Sequence, residues 1–164
     1  MTPPPSAAKM IITPSDDVSI RASHPEQNFG SEPIIEVDSS SVKEMLLRFE
    51  LPEWGTASIK SAKIRLYTIN GSLMGGDFFV VTDQTWQEET ITWTNAPIAD
   101  GDYIGSLGRV DENVWYELIV TPFVSDTTTF SIRGKSTLPD GADSSSKEDL
   151  AGFTPELVIE FTPE

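Results

Sequence analysis

Apolar and polar positions alternate with a period of two along most of the chain. Val18 and Ile20 alternate with Asp17, Ser19 and Arg21. Met45, Leu47 and Phe49 alternate with Leu46, Arg48 and Glu50, and Ala62, Ile64 and Leu66 with Lys63, Arg65 and Tyr67. That period places successive side chains on opposite faces of an extended strand. Further strand-like runs cover 77–82, 90–93, 114–121, 128–133 and 156–161, with shorter ones near Met10, Ile34 and Ile104. The total is about ten strands separated by turn residues. Twelve prolines and eleven glycines are scattered through the length, and no long stretch keeps the i, i+3, i+4 apolar stripe of a helix. The one local helical signal is Thr121-Pro122-Phe123-Val124, where proline suits the first position of a turn.

Strands whose faces alternate must bury one face against a second layer. The predicted fold is therefore all-β, a two-sheet antiparallel β-sandwich of the jelly-roll kind. The long loops are 23–33, 70–76, 95–101 and 136–152. The last is rich in Ser, Asp and Gly and reads either as a solvated loop or as the rim of a binding site. Residues 1–9, with three consecutive prolines, read as a semi-rigid linker. Residues 10–164 read as a single module of a larger protein.

Composition narrows the function. Among 164 residues, 26 Asp and Glu stand against 11 Lys and Arg, for a net charge of -15. Such a chain is a poor partner for nucleic acid, whose recognition needs a basic surface, and for an anionic membrane. With no cysteine and one histidine, His24, there is no thiol chemistry, disulfide, Cys-ligated zinc or multi-His metal site. No apolar run approaches the ~20 residues of a membrane-spanning helix. Gly-x-Ser-x-Gly, Walker and dinucleotide glycine patterns are missing. Two carboxylates flanking a cleft would suffice for a glycosidase, but no pair among the 26 is set apart by spacing. The 26 acidic residues alone do not exclude that chemistry.

Five segments taken in order then show a resemblance: DDVSIRASHPEQNFGSEP, MLLRFELPEWGTASIKSAKIRLYT, VTDQTWQEETITWTNAP, VWYELIVTPFV and SSKEDLAGFTPELVIEF. They resemble the DNRLRE, or disaggregatase-related, domains grouped with the family 96 carbohydrate-binding modules, over about Ile11 to Thr162. The most specific piece pairs Trp86 and Trp93 around Glu-Thr-Ile-Thr. The Leu-Leu-Arg-Phe strand and the Asn28-Phe29-Gly30 turn support it. The resemblance implies a sandwich module of a secreted or surface polysaccharide-acting protein, similar to an alginate-binding module of an alginate lyase. Where members often carry Arg, this chain has Glu44, and their Ser-Arg-Glu appears as Ser146-Lys147-Glu148.

A uronate polymer calls for cations, and arginine best of all, because its planar fork meets both carboxylate oxygens. Five basic residues within the matching span are the candidates: Arg21, Lys43, Arg48, Arg133 and Lys147. Parity puts Arg21 and Arg48 opposite the core-facing residues of their strands and groups Arg133 with Ser131. If the strands share a sheet, the three guanidinium groups would converge on its concave face; the alternative is surface pairing with Asp17, Glu50 or Glu148. Glu148 would orient an arginine or accept sugar hydroxyls. Asn28 is a ligand candidate that also suits a turn, its side chain bonded to backbone. His24, beside Pro25, reads as an incidental loop residue. Among the aromatics, Tyr67, Trp54 and Tyr103 are candidates for stacking on a sugar, while Trp86, Trp93 and Trp115 read as packing.

No cofactor is required by this reading. A structural Ca²⁺ is the open alternative, with Asp16, Asp17, Asp38, Asp140 and Asp143 offering oxygens but no spaced ligand loop; its ligands stay unassigned. The function expected is binding of an acidic polysaccharide, alginate by preference, by a monomeric extracellular module that targets a parent enzyme. The alternatives are a structural spacer or adhesive module of a cell-surface protein, and, third, a small lyase or hydrolase.

Overall fold

The computed structural model describes residues 8–55, 57–124 and 128–162. Its eleven strands are β1 (Lys9–Ile12), β2 (Asp16–Arg21), β3 (Ile34–Val37), β4 (Lys43–Glu50), β5 (Ile59–Asn70), β6 (Asp77–Val81), β7 (Tyr103–Ser106), β8 (Val114–Ile119), β9 (Thr129–Lys135), β10 (Ala142–Ser145) and β11 (Glu156–Phe161). A 3₁₀ turn at Thr121–Phe123, with Pro122 in its first positions, is where the sequence placed it. Most of the expected linker, residues 1–7, lies outside the described residues; its last residue, Lys9, opens β1.

The strands form two antiparallel sheets, a β-sandwich as expected. One sheet runs β2-β4-β9-β6-β7; the other runs β1-β11-β5-β10-β3, with β8 also on β5. β5 is twelve residues long and serves three neighbours. β11 pairs with it from Ile59 to Arg65 and β10 at Thr68 and Asn70, while β8 pairs from Lys63 to Thr68 along the opposite edge. Between the sheets, Met45, Leu47, Phe49, Phe130, Ile132 and Phe78 meet Ile64, Leu66, Leu157, Ile159, Ile35 and Val37 in the main core. Burying a side chain of that size stabilises by about 1.5–3 kcal/mol, and this layer fixes which face of each strand points inward.

Two parts of the expectation differ. Residues 90–93 are not a strand: segment 83–97 crosses the outer face of the β2-β4-β9-β6-β7 sheet, where Trp86 and Ile91 cover Val18, Ile20, Leu46 and Val81 to form a second core. Its alternation reflects packing as a flap. β10, in turn, lies inside the expected 136–152 loop. Its sequence, Ala-Asp-Ser-Ser, has no apolar alternation, and it is a strand because β3 and the end of β5 both offer it hydrogen bonds.

Candidate functional site

The residues singled out in the sequence fall in three places. Arg48 and Arg133 lie on the outer face of the β2-β4-β9-β6-β7 sheet, in register with Ser131 and Leu46. Arg48 donates to Asp16 Oδ2 at 2.8 Å and reaches Glu50 at 3.5 Å. Arg133 donates to Glu44 Oε1 and to the Pro97 carbonyl, both at 2.9 Å, and stands over Trp93. Both side chains are largely buried, 16% and 13% exposed. They act as struts between the sheet and its flap.

Arg21 does not join them. It shares the sheet but faces the other way, in register with Lys43 and on the side of Met45 and Leu47. The expected convergence of three guanidinium groups is therefore corrected. Val18 and Ile20 fill the second core, so Asp17, Ser19 and Arg21 of β2 point inward while Glu44 and Arg48 of β4 point outward. At the seam where edge strand β2 meets edge strand β3, the Glu36 amide donates to Ser19 Oγ. The Glu36 carboxylate there takes both Arg21 (3.1 Å) and Lys43 (3.4 Å). Arg21 also lies 4.1 Å over the ring of Phe29.

Further along the seam, Lys147 bridges Glu88 (2.5 Å) and Glu148 (2.7 Å), while its amide donates to Asp17 Oδ2 at 2.7 Å. Burial pushes the Asp17 carboxyl up to about 8; the Lys147 amide opposes the shift, and Glu148 and Glu88 add to it. Burial likewise raises Glu88 to about 7, against the pull of Lys147. Burial works against the Lys147 ammonium, yet its contacts with Glu148 and Glu88 outweigh this and hold its pKa above the usual lysine value. Asn28 is a turn residue: its Nδ2 donates to the Glu88 and Ile91 carbonyls, and its Oδ1 accepts the Gly30 amide. Gly30 is required there, because a Cβ would stand 2.4 Å from the Glu88 carbonyl. His24 bonds to neighbouring Ser23 and meets Phe29 edge-on.

The raised carboxyl pKa values carry a pH dependence. The folded chain retains protons on Asp17 up to about 8 and on Glu88 up to about 7, whereas the unfolded chain loses them near 3.8 and 4.5. Folding stability therefore falls as pH rises through this window and levels off above it. Melting curves in chelator-containing buffer should show that fall, and Glu88→Gln should flatten it; a melting temperature that rises from pH 5 to pH 8 would contradict the expectation.

Tyr67 occupies the third place, the outer face of the other sheet. It stacks on Phe153 (centroids 4.0 Å apart, rings 8° from parallel) and meets Trp115 edge-on. Tyr67 and Trp115 are cross-strand partners, and the next row toward β1 sets Arg65 between Glu156 and Glu117. The row after that is Ile11, Val158, Lys63 and Ile119. Arg65 bonds Glu156 at 3.0 Å and lies 4.5 Å over Trp115, while Lys63 meets Glu117 at 2.5 Å. A depression of about 330 Å³ opens on this face, lined by Lys9, Ile11, Lys63, Arg65, Glu117, Glu156 and Val158. In a chain with a net charge of -15, three cations here face two carboxylates, and an aromatic row adjoins them.

The whole described sandwich, 8–161, matches the family model of carbohydrate-binding module family 96. The chain belongs to this family. A search of curated proteins found no match. Membership in this family implies a non-catalytic module that binds carbohydrate. Tyr67, a stacking candidate in the sequence, lies against Trp115 and Phe153. Trp115 was read as packing and Phe153 was not singled out, although the parity that exposes Tyr67 also exposes Lys63 and Arg65. Trp54, a candidate for exposure, leans on Phe161 of the main core; Tyr103 is exposed beside Phe79.

Proposed function

We propose that this module binds an acidic polysaccharide, alginate by preference, and holds a parent polysaccharide-degrading enzyme on its substrate outside the cell. The observation that carries the proposal is the outer face of β1-β11-β5-β8, where Lys9, Lys63 and Arg65 surround a depression beside Tyr67, Trp115 and Phe153. A pyranose ring has an apolar face for the aromatic row and hydroxyls for water, and its carboxylate is suited to the fork of Arg65. Arg48 and Arg133 are braced under the flap, and Arg21, Lys43 and Lys147 are tied to carboxylates at the seam. Lys63 and Arg65 also have carboxylate partners, but they border an open depression with Lys9, so the cationic patch is better sought on this face. Binding through exposed ion pairs is modest and weakens with salt. Its use to an enzyme is the raised effective concentration of substrate.

Affinity electrophoresis through gels containing alginate, pectin or a neutral glucan tests this. Alginate should retard the module, and Arg65→Ala should weaken that retardation about tenfold while leaving the melting temperature within a few degrees. Unchanged mobility in every gel would leave the spacer or adhesive module as the reading. Retardation by alginate that survives Arg65→Ala and Lys63→Ala would place the site elsewhere on the module.

A further inference from the structure

We propose that Asp17, Glu88 and Glu148 form a calcium site at the seam between the sheets, for which Lys147 is a built-in competitor. The three side chains come from β2, from the flap and from the turn after β10, and one carboxylate oxygen of each lies within 4.8 Å of the others. Oxygens bound to one Ca²⁺ at 2.3–2.6 Å lie at most about 5 Å apart, so a single ion can touch all three.

Acidic clusters on a surface are common without an ion. This one is internal: Asp17 is 1% and Glu88 4% exposed. A second observation comes from Asp17 itself. Its Oδ2 accepts the Lys147 amide, but its Oδ1 is buried with no hydrogen-bond partner. The carboxyl adjoins those of Glu148 and Glu88; the proton it retains without an ion would be displaced by a bound cation. A buried acceptor without a donor is a costly arrangement unless something else meets it.

Charge gives the same answer. Three carboxyl groups meet beside one ammonium, and a divalent cation would take the place of the lysine and of any proton held there. All the side-chain donors are oxygens, which suits a hard cation, and the irregular arrangement suits Ca²⁺ better than the strict octahedron of Mg²⁺. Lys147 touches two of the three ligands, and its side chain is 26% exposed. It can therefore turn outward and release both carboxylates to the ion. Of the aspartates the sequence offered, Asp16 is held by Arg48 and Asp38 by Ser40. Asp17 alone of that set belongs to this group.

The test is independent of any sugar. The full chain, stripped with EDTA and dialysed, is titrated with CaCl₂ by calorimetry and melted with and without the ion. One Ca²⁺ should bind per chain, and the melting temperature should rise with calcium concentration but not with magnesium. Glu148→Gln, at a partly exposed position, should weaken binding at least about tenfold, and Lys147→Gln should tighten it about tenfold by removing the competitor. Absence of saturable binding and of a calcium-dependent melting shift in the unmodified chain would overturn the site. So would binding undiminished by both Asp17→Asn and Glu148→Gln. An equal response to magnesium would overturn the assignment to calcium, and weaker binding by Lys147→Gln would overturn the role of the lysine.

Discussion

Trp86→Ala should lower folding stability by about 3–5 kcal/mol, a large part of the 5–15 kcal/mol that typically holds a domain together. Trp86 is 5% exposed and is the largest side chain of the second core, over Val18, Ile20, Leu46 and Val81. Its indole Nε1 donates to Ser131 Oγ at 3.2 Å, and Ser131 Oγ in turn donates to Gln84 Oε1 at 2.7 Å. Alanine leaves a cavity the size of an indole and leaves Ser131 without its donor, and the flap loses its grip on the sheet. Beyond stability, the flap also carries Pro97, whose carbonyl holds Arg133, and Glu88. Urea denaturation monitored by circular dichroism measures the loss. Trp86→Phe, which keeps most of the apolar volume, should lose less than half as much. A loss under about 1 kcal/mol for Trp86→Ala would show that the flap is not part of the cooperative fold.

The flap is also where the sequence was hardest to read. Period-two alternation marked β2, β4, β5, β8, β9 and β11, because each puts one face into a core with a clear apolar set. The same alternation at 90–93 belongs to a segment whose Ile91 and Trp93 pack on the cluster of Val18 and Leu46 without pairing to any of the described strands. Alternation reports burial on one side, and a flap on a sheet satisfies it as well as a strand does. β10 failed in the reverse sense. Its Ser144 and Ser145 are buried, yet their side chains carry no apolar signal, and only neighbours distant in sequence make them a strand.

Parity within a strand likewise gives two faces without saying which core each one meets. Val18 and Ile20 looked like ordinary core residues, and so Arg21 looked outward. With a second core behind the sheet the assignment inverts for β2 and holds for β4. On the opposite sheet Lys63, Arg65 and Tyr67 are half-buried on the outer face, with Phe153 stacked on Tyr67, and parity there predicted the outward face correctly. The carboxylate partners of the arginines were beyond reach of the sequence. Glu44 and Arg133 are 89 residues apart, and only the β4-β9 register brings them together. The cluster of Asp17, Glu88 and Glu148 depends in the same way on three separate elements meeting at one seam.

Arg48→Ala separates a structural arginine from a ligand-binding one. Asp16 and Arg48 are cross-strand partners on β2 and β4, joined at 2.8 Å with side chains only 10% and 16% exposed. Asp16 also accepts the Glu88 amide through Oδ1, so the pair anchors the flap to the sheet edge. Removing one member of such a pair leaves its partner as an uncompensated buried charge, at a cost of about 3 kcal/mol. Chemical denaturation should show that loss. Asp16→Asn combined with Arg48→Met removes both charges and should be less destabilised than the sum of the single changes, the sign of direct coupling. Alginate retardation of whatever fraction remains folded should stay as it was, because the proposed ligand face lies on the opposite sheet. The converse holds for Arg65→Ala, which should lose retardation and keep its stability. If Arg48→Ala instead leaves stability intact and abolishes retardation, Arg48 meets the polysaccharide, and the binding face belongs on the flap side of the sandwich.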